Sequence, residues 1–155
     1  MYLAKNGKPV VSSVEQGISE WIDKISETRS ELGNMPVCPF AKNAKYKIIE
    51  LADEETLNPD FSTVEVILYI VNSSYSFEQV ENISSEYNKI FPNLVFLPDS
   101  KHRYSHINGV QSNNDKYNLI LCQERSELQA ARDRLSQTTY YTHWDERYLK
   151  EILDQ

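Results

Sequence analysis

Apolar and polar residues alternate along this chain with two periods, one typical of helices and one typical of strands. Residues 13–32 carry apolar side chains at helical spacing. Ser13 is a suitable N-cap residue, and Gly33 is suited to the position that follows a helix. We therefore predict a first helix over residues 13–32. Its apolar stripe is formed by Val14, Ile18, Trp21, Ile22, Ile25 and Leu32.

Four further segments are rich in β-branched and aromatic residues, which favour strands. Residues 64–71, VEVILYIV, are apolar at both sets of alternating positions. This pattern indicates a strand that is buried on both faces of a sheet. The predicted strands are residues 45–51, 64–71, 93–97 and 117–123.

Helical spacing returns between and after these strands. Ser76 is the predicted N-cap of a second helix, which Pro92 would stop. Ser126 is the predicted N-cap of a third helix, and Asp145 would begin a short terminal helix. The polar segment 98–115 is predicted to be a loop between the third and fourth strands.

The order of these elements predicts an α+β fold. It runs helix, strand, strand, helix, strand, strand, helix, helix. With a right-handed crossover in the middle and an antiparallel hairpin for each strand pair, this is a two-layer sandwich of circularly permuted ferredoxin-like order, with a four-stranded antiparallel sheet. Helices would cover one face. The terminal helix, the N-terminal arm or another subunit would cover the second face.

The length of 155 residues predicts a single domain with one core. We expect an N-terminal arm over residues 1–12 and a core over 13–136. Residues 137–155 would form a corner and the terminal helix.

Composition narrows the possible functions. The chain has 23 acidic and 16 basic residues in mixed order, a net charge of -7, which argues against a general nucleic-acid binder. No apolar window is long enough for a membrane span, and the N-terminus lacks the apolar region of a signal peptide. We therefore expect a cytoplasmic protein without a membrane partner. Its two cysteines, Cys38 and Cys122, are predicted to be unpaired thiols.

The antiparallel topology predicts that four polar segments meet at the end of the sheet where the first strand begins, here called the lower end. These segments are the stretch around Cys38, the turn at 72–76, the loop at 99–116 and the corner at 138–144. Loops on a rigid scaffold often carry function. The converging residues are Cys38, Lys42, Ser73, Tyr75, His102, Tyr104, His106, Tyr140, Tyr141 and His143.

Cys38 is the central group of this predicted site. If it precedes a helical turn, the backbone N–H groups of the turn and the charge of Lys42 would favour the thiolate. The alternative is a small buried hydrophobic residue in a loop that Pro36 and Pro39 stiffen, with Phe40 inserted into the core.

A cysteine nucleophile is one use of these residues. A histidine within hydrogen-bond reach of Cys38 could act as a general acid or base, oriented by Asp99 or Asp145. The candidate catalytic residues are Cys38, Lys42, His102 and Tyr104.

A metal site is a second use. His102 and His106 are four positions apart, and Cys38 and His143 could complete four nitrogen and sulfur donors for zinc or iron. Two histidines in a polar loop are also common as solvated residues.

Binding of an anionic small molecule is a third use, through basic residues that could equally form a solvated rim. The candidate ligand-binding residues are Lys42, Ser73, Arg103, Tyr140 and Tyr141.

The stretch VCPFAK, residues 37–42, follows an amphipathic helix that contains Trp21. It resembles the Leu-Cys-Pro-Phe-Ala-Lys motif of a family of short bacterial proteins of unknown function. Residues 95–99 and 117–131 resemble later segments of the same family, although Leu97 stands where the family tends to have histidine. The resemblance implies a fold and a position for Cys38, and it implies no reaction.

Two functions remain open, and the sequence does not decide whether the protein is an enzyme. The first is a small-molecule or metal site centred on Cys38, with His102, His106 and His143 around it. The second is a non-catalytic protein-interaction module, for example a homodimer, that binds through the apolar second face of the sheet.

Overall fold

The computed structural model describes residues 12–53, 55–144, 146 and 149–150. The arm predicted for residues 1–12 and the terminal helix predicted from Asp145 lie almost entirely outside the described residues.

Three α-helices and six strands make up the described chain. The helices are α1 (Ser13–Ser26), α2 (Phe77–Ile90) and α3 (Arg125–Ser136). Two short 3-10 helices span Ser30–Leu32 and Tyr140–His143. The strands are β1 (Tyr46–Glu50), β2 (Val66–Val71), β3 (Leu94–Ser100), β4 (His106–Ile107), β5 (Val110–Gln111) and β6 (Asn118–Glu124).

The helix ends follow from capping. Ser76 caps α2 as predicted, in a reciprocal capping box with Gln79. α1 is capped by Ser12, one residue before the predicted cap. Ser126 does not cap α3, since Glu124 occupies the N-cap position without a side-chain bond.

The first helix is shorter than the predicted 13–32. α1 ends at Ser26, and the chain extends before the separate 3-10 helix. Gly33 ends that short helix with a φ of +63°, a conformation that glycine adopts without strain. The apolar spacing predicted one continuous helix because Leu32 fits its apolar stripe. In the structure Leu32 is buried, but it belongs to the separate 3-10 helix.

The four-stranded sheet is mixed, with the order β1-β2-β6-β3. β6 runs antiparallel to both β2 and β3, but β1 is parallel to β2. The prediction of a purely antiparallel sheet is therefore wrong. The connection between β1 and β2 is long enough for a crossover, and it packs Leu57 and Phe61 against one face of the sheet.

The sheet is covered on both faces, so the prediction of two layers is also wrong. On one face, Val80 of α2 packs in a cluster with Ile67 and Ile120. On the other face, Ile18 of α1 packs against Leu68 and Leu119. α1 thus covers the face that we expected the terminal helix, the arm or another subunit to cover.

Residues 98–115, predicted to be a loop, contain the hairpin of β4 and β5. Asn108 and Gly109 form its turn with φ angles of +49° and +84°. An Asn-Gly pair is typical of this kind of hairpin turn, so the signal was present in the sequence. The hairpin lies along α1, because the Asn108 side chain donates to the Glu31 carbonyl (2.8 Å) just beyond that helix.

A buried amide joins the strands at the end opposite the lower end. Asn118 is 0% exposed and accepts a hydrogen bond from the Ser100 hydroxyl at 2.6 Å. Its Nδ2 donates to the carbonyls of Asn72 (2.9 Å) and Tyr75 (3.0 Å). One side chain therefore connects β6, β3 and the turn that leads into α2.

No helix among the described residues is long and apolar enough to cross a membrane.

We predict that Asn118→Ala destabilises the protein by about 2–4 kcal/mol, because it leaves a buried hydroxyl and two partly buried carbonyls without this partner. Urea unfolding measures this free energy. Asn43→Ala removes an exposed amide and serves as the control, with an expected change within about 0.5 kcal/mol. Equal losses for the two variants would contradict the structural role of Asn118.

Candidate functional site

The four segments predicted to meet at the lower end do not all meet there. Because β1 is parallel to β2, the segment before β1 and the turn after β2 lie at opposite ends of the sheet. The Cys38 segment is at the lower end, whereas Ser73 and His102 meet at the upper end. His102 Nε2 lies 3.2 Å from the Ser73 carbonyl oxygen.

Arg103 is engaged at the same upper end. Its guanidinium lies 4.5 Å from the centre of the Phe77 ring, a cation–π geometry. It also approaches Glu81 of α2 at 3.8 Å. Arg103, predicted to bind a ligand, therefore contacts the start of α2 instead.

Tyr104 and His106 lie beside each other on the hairpin. Their ring centres are 5.5 Å apart, and His106 Nδ1 accepts a hydrogen bond from the Gly109 N–H at 3.2 Å. The Tyr104 side chain is 60% exposed. His106 thus stabilises the hairpin turn, and Tyr104 remains accessible.

Cys38 packs in an apolar cluster with Ile25, Val37, Ile107 and Val110. Burial raises the pKa of its thiol, although the N–H groups of the following turn act in the opposite direction. The predicted backbone donors are present, but desolvation is the larger effect. Cys38 is itself partly buried. Its apolar neighbours favour the interpretation of an apolar packing residue over that of a thiolate.

Two neighbours of Cys38 differ from the prediction. Lys42 is exposed to solvent. Burial of Cys38 affects the pKa of its thiol more than the backbone N–H groups that favour the thiolate. Phe40, expected in the core, is 39% exposed and lies under the guanidinium of Arg134 at 5.5 Å. The stretch after Cys38 is therefore a surface turn.

The corner at 140–143 does reach the Cys38 segment. Tyr140 is 4% exposed, and its hydroxyl donates to the carbonyl of Val37. Burial raises the pKa of Tyr141, an effect that Arg132 opposes and that Cys38 reinforces. Tyr140 and Tyr141, predicted to bind a ligand, instead pack this corner against the Cys38 segment.

The four predicted metal ligands are not brought together. Among the described residues, no group of three or more His, Cys, Asp or Glu side chains could hold a metal ion. His143 lies against Gly33, whose missing side chain leaves room for the imidazole. Zinc or iron bound by Cys38, His102, His106 and His143 is therefore not supported. Both cysteines are free, as predicted.

A cleft that the sequence did not predict lies between α1 and residues 104–117. Its volume is about 670 Å³, within the range of small-molecule sites. Of the predicted site residues, Tyr104 lies in its lining. The lining residues are Gly17, Glu20, Trp21, Asp23, Lys24, Ile25, Glu27, Arg29, Tyr104, Gly109, Val110, Gln111, Asn113, Asn114, Asp115, Lys116 and Tyr117.

Contacts from α1 hold the two walls of the cleft in place. The Trp21 indole N–H donates to the Ser112 carbonyl at 3.2 Å. The Lys116 ammonium binds Glu20 at 3.0 Å, which lowers the pKa of that carboxyl through the hydrogen bond and the charge. Gly17 lets the Tyr117 ring approach α1, since a Cβ at this position would lie 2.6 Å from the Tyr117 hydroxyl.

Two basic groups of the cleft lining are held in ion pairs. Glu20 pairs with Lys116, and Arg29 pairs with Glu31 at 3.3 Å. The remaining charged residues of the lining are the carboxylates Asp23, Glu27 and Asp115 and the ammonium of Lys24. The lining thus holds four carboxylates against three basic groups, an acidic excess of one. Asp23, Glu27 and Asp115 form no ion pair among the described residues, although Glu27 attracts Arg29 and Asp115 attracts Lys116.

The Asp99 carboxyl group binds Asn114, a residue of the cleft lining. Asp99 Oδ1 accepts hydrogen bonds from the Asn114 backbone N–H (2.8 Å) and from Nδ2 (2.6 Å). Burial raises the pKa of Asp99 to about 6, and the bonds from Asn114 oppose that rise. The side-chain oxygen of Asn114, Oδ1, in turn accepts hydrogen bonds from the backbone N–H groups of Lys116 and Tyr117.

We predict that ionisation of Asp99 destabilises the folded protein. Because its pKa is near 4 in the unfolded chain and about 6 in the folded one, the folded state holds the proton more tightly. The stability that this proton confers is complete below about pH 4 and is lost as the pH rises through about 6. Asp99→Asn keeps the acceptor oxygen and removes the charge.

The measurement is urea unfolding of wild type and Asp99→Asn over this pH range. The stability of the variant relative to wild type should rise by about 1–3 kcal/mol between pH 4 and pH 7 and then stay constant. A difference that does not change with pH would show that the carboxyl ionises without cost.

We predict slow chemical modification of Cys38, because burial disfavours the thiolate. Cys122 is buried in the core, and burial raises its pKa to about 12. A Cys122→Ala variant isolates Cys38. Its reaction with the thiol reagent DTNB at neutral pH should be at least about 100-fold slower in the native protein than in denaturant. Rapid stoichiometric labelling of the native variant would restore the nucleophile hypothesis.

Comparison of the chain with models of protein families, with curated proteins and with solved structures found no match in any of the three. The resemblance of residues 37–42 to a bacterial motif therefore stays a prediction.

Proposed function

We propose that the protein binds a small, positively charged organic molecule in the cleft between α1 and residues 104–117. The observation that carries the proposal is the composition of this cleft. An exposed aromatic side chain, Tyr104, shares a cavity of ligand size with three carboxylates that form no ion pair among the described residues.

Charge favours a cation over an anion in this cleft. Asp23, Glu27 and Asp115 outnumber Lys24, and the whole chain carries a net charge of -7. At the partly screened surface of a protein, an opposite charge near a carboxylate contributes on the order of 1–4 kcal/mol. Several carboxylates along one cavity also raise the local concentration of cations.

Aromatic rings support the same class of ligand. Tyr104 is exposed and Trp21 is partly buried, and both belong to the lining. A ring face attracts an ammonium or guanidinium group by about 0.5–2 kcal/mol, more when the cation is desolvated. An organic amine with an apolar portion would use both the carboxylates and the rings.

The proposed site does not include Cys38, which lies outside the lining of the cleft. An anionic ligand is not proposed, because Arg103 is occupied by Phe77 and Glu81, and Lys42 lies outside the lining. The proposal concerns binding and assigns no reaction. Binding through an apolar sheet face also loses its motivation, because α1 covers that face with Ile18.

Two further proposals concern the fold relation and the location of the protein. The β2-α2-β3 unit, with β6 inserted between its strands, supports a relation to a circularly permuted ferredoxin-like order, and such a relation implies no activity. The two free thiols support a cytoplasmic location.

We predict that organic cations bind and that the cleft residues determine the affinity. Isothermal titration calorimetry with agmatine, spermidine and choline tests the class, and citrate and glucose serve as anionic and neutral comparisons. Tyr104→Ala and Glu27→Gln should each weaken binding by about 5–30-fold, since each removes on the order of 1–2 kcal/mol of interaction.

Glu86→Gln on α2 is the matched control, because it removes an exposed carboxylate that pairs with Lys89 outside the cleft. Its affinity for the cation should equal that of wild type. Equal weakening by Glu86→Gln and Glu27→Gln would mean that only the net charge attracts cations. Binding of citrate in preference to all three cations would overturn the proposal.

A further inference from the structure

The two outer edges of the four-stranded sheet differ in their hydrogen bonding. β3 forms one edge and β1 forms the other. An open edge presents backbone N–H and C=O groups that can pair with a further strand. The outward groups of each edge therefore determine where another strand can bind.

The β3 edge is closed at three successive outward positions. The Asn88 side chain donates to the Phe96 carbonyl (3.0 Å) and accepts from the Phe96 N–H (2.8 Å). The Leu94 N–H donates to a carbonyl of the preceding turn, and its own carbonyl accepts from Arg125 at 3.3 Å. Pro98 has no N–H to offer.

The β1 edge is open by the same criterion. The Lys45 carbonyl and the Leu51 N–H, on either side of β1, both bond to residues of β2. Backbone groups alternate along a strand, so those of Tyr46, Ile48 and Glu50 point away from β2. Within the described part of the chain, no hydrogen bond reaches these outward groups.

We propose that β1 pairs in antiparallel orientation with β1 of a second copy of this chain, which joins two sheets into one. A two-fold axis at Ile48 places Ile48 opposite the partner's Ile48 and Tyr46 opposite the partner's Glu50. In this register every residue of β1 is paired. The outward groups of Tyr46, Ile48 and Glu50 then receive partners on the other strand.

The side chains of β1 favour this register over its neighbour. With the axis at Ile48, Lys47 faces the partner's Ile49. With the axis at Lys47, the two Lys47 side chains would face each other, which is unfavourable. Lys47 also donates to the Asp60 carbonyl of its own chain at 3.0 Å, so its ammonium already has a partner within the chain.

Apolar side chains add to the backbone pairing. Ile48 and Ile49 are partly exposed and lie on opposite faces of the sheet. Ile48 packs against the cluster that contains Ile18 of α1, and Ile49 packs against the cluster that contains Val80 of α2. Cross-strand pairing would cover them further, and such pairs contribute about 0.2–1 kcal/mol each. The inference is independent of the proposed ligand, because no residue of β1 lines the cleft.

We predict that the full chain dimerises in a concentration-dependent manner and that Ile48→Pro weakens the dimer. Proline removes one outward N–H and leaves the bonds between β1 and β2 in place. Size-exclusion chromatography with light scattering should show dimers for wild type and for the control Ile48→Val. Ile48→Pro should weaken dimerisation at least about tenfold.

Backbone hydrogen exchange of the wild-type chain tests the same edge without a substitution. The amides of Tyr46, Ile48 and Glu50 should exchange rapidly in dilute protein and become protected as the concentration rises. The amides of Lys47 and Ile49 should be protected at every concentration. A monomer at all concentrations, a dimer that Ile48→Pro leaves intact, or protection of the outward amides in the monomer would each overturn the proposal.

Discussion

Burial of the central strands on both faces is the constraint on which the rest of this structure depends. Leu68 of β2 and Ile67 beside it point to opposite faces, and each is buried. Leaving either face in water would cost about 1.5–3 kcal/mol for each large apolar side chain. α2 covers one face as part of a crossover, so the remaining face requires α1 through Ile18.

The position of α1 has a second effect on the shape of the surface. The hairpin of β4 and β5 follows the helix, with Trp21 bonded to Ser112 and Asn108 bonded to the carbonyl of Glu31. The cleft is the space that remains between these two elements. Most carboxylates of its lining belong to α1 or to Glu27, which follows that helix. Covering the core and forming the cavity use adjacent sides of one helix, and Trp21 and Ile25 contribute to both.

Most helices and strands could be predicted from the sequence because their signals are local. Ser76 with Gln79 caps α2, and the apolar residues of 64–71 define β2. The direction of β1 could not be predicted, since the connection after it has neither helical nor strand period. The turn at Asn108 and Gly109 is also a local signal, since this residue pair is typical of a hairpin.

The site was harder to predict than the fold. Cys38 and the histidines attract attention as chemical groups, but their neighbours depend on the direction of one edge strand. The cleft lies between residues of α1 and residues about 90 positions later in the chain. Trp21 and Ser112, which are hydrogen-bonded, are 91 positions apart. Spacing along a chain carries no information about such pairs. An acidic helix face next to a polar loop is also the usual appearance of solvated surface.

Asn88 has a consequence for larger assemblies that its place on α2 does not suggest. By bonding both backbone groups of Phe96, it closes the β3 edge of the four-stranded sheet, so that β1 is the open edge of this sheet among the described residues. Building blocks with two attachable borders polymerise into fibres, whereas those with one stop growing after the first addition. In the proposed dimer, this amide would prevent a third copy from pairing with the β3 edge.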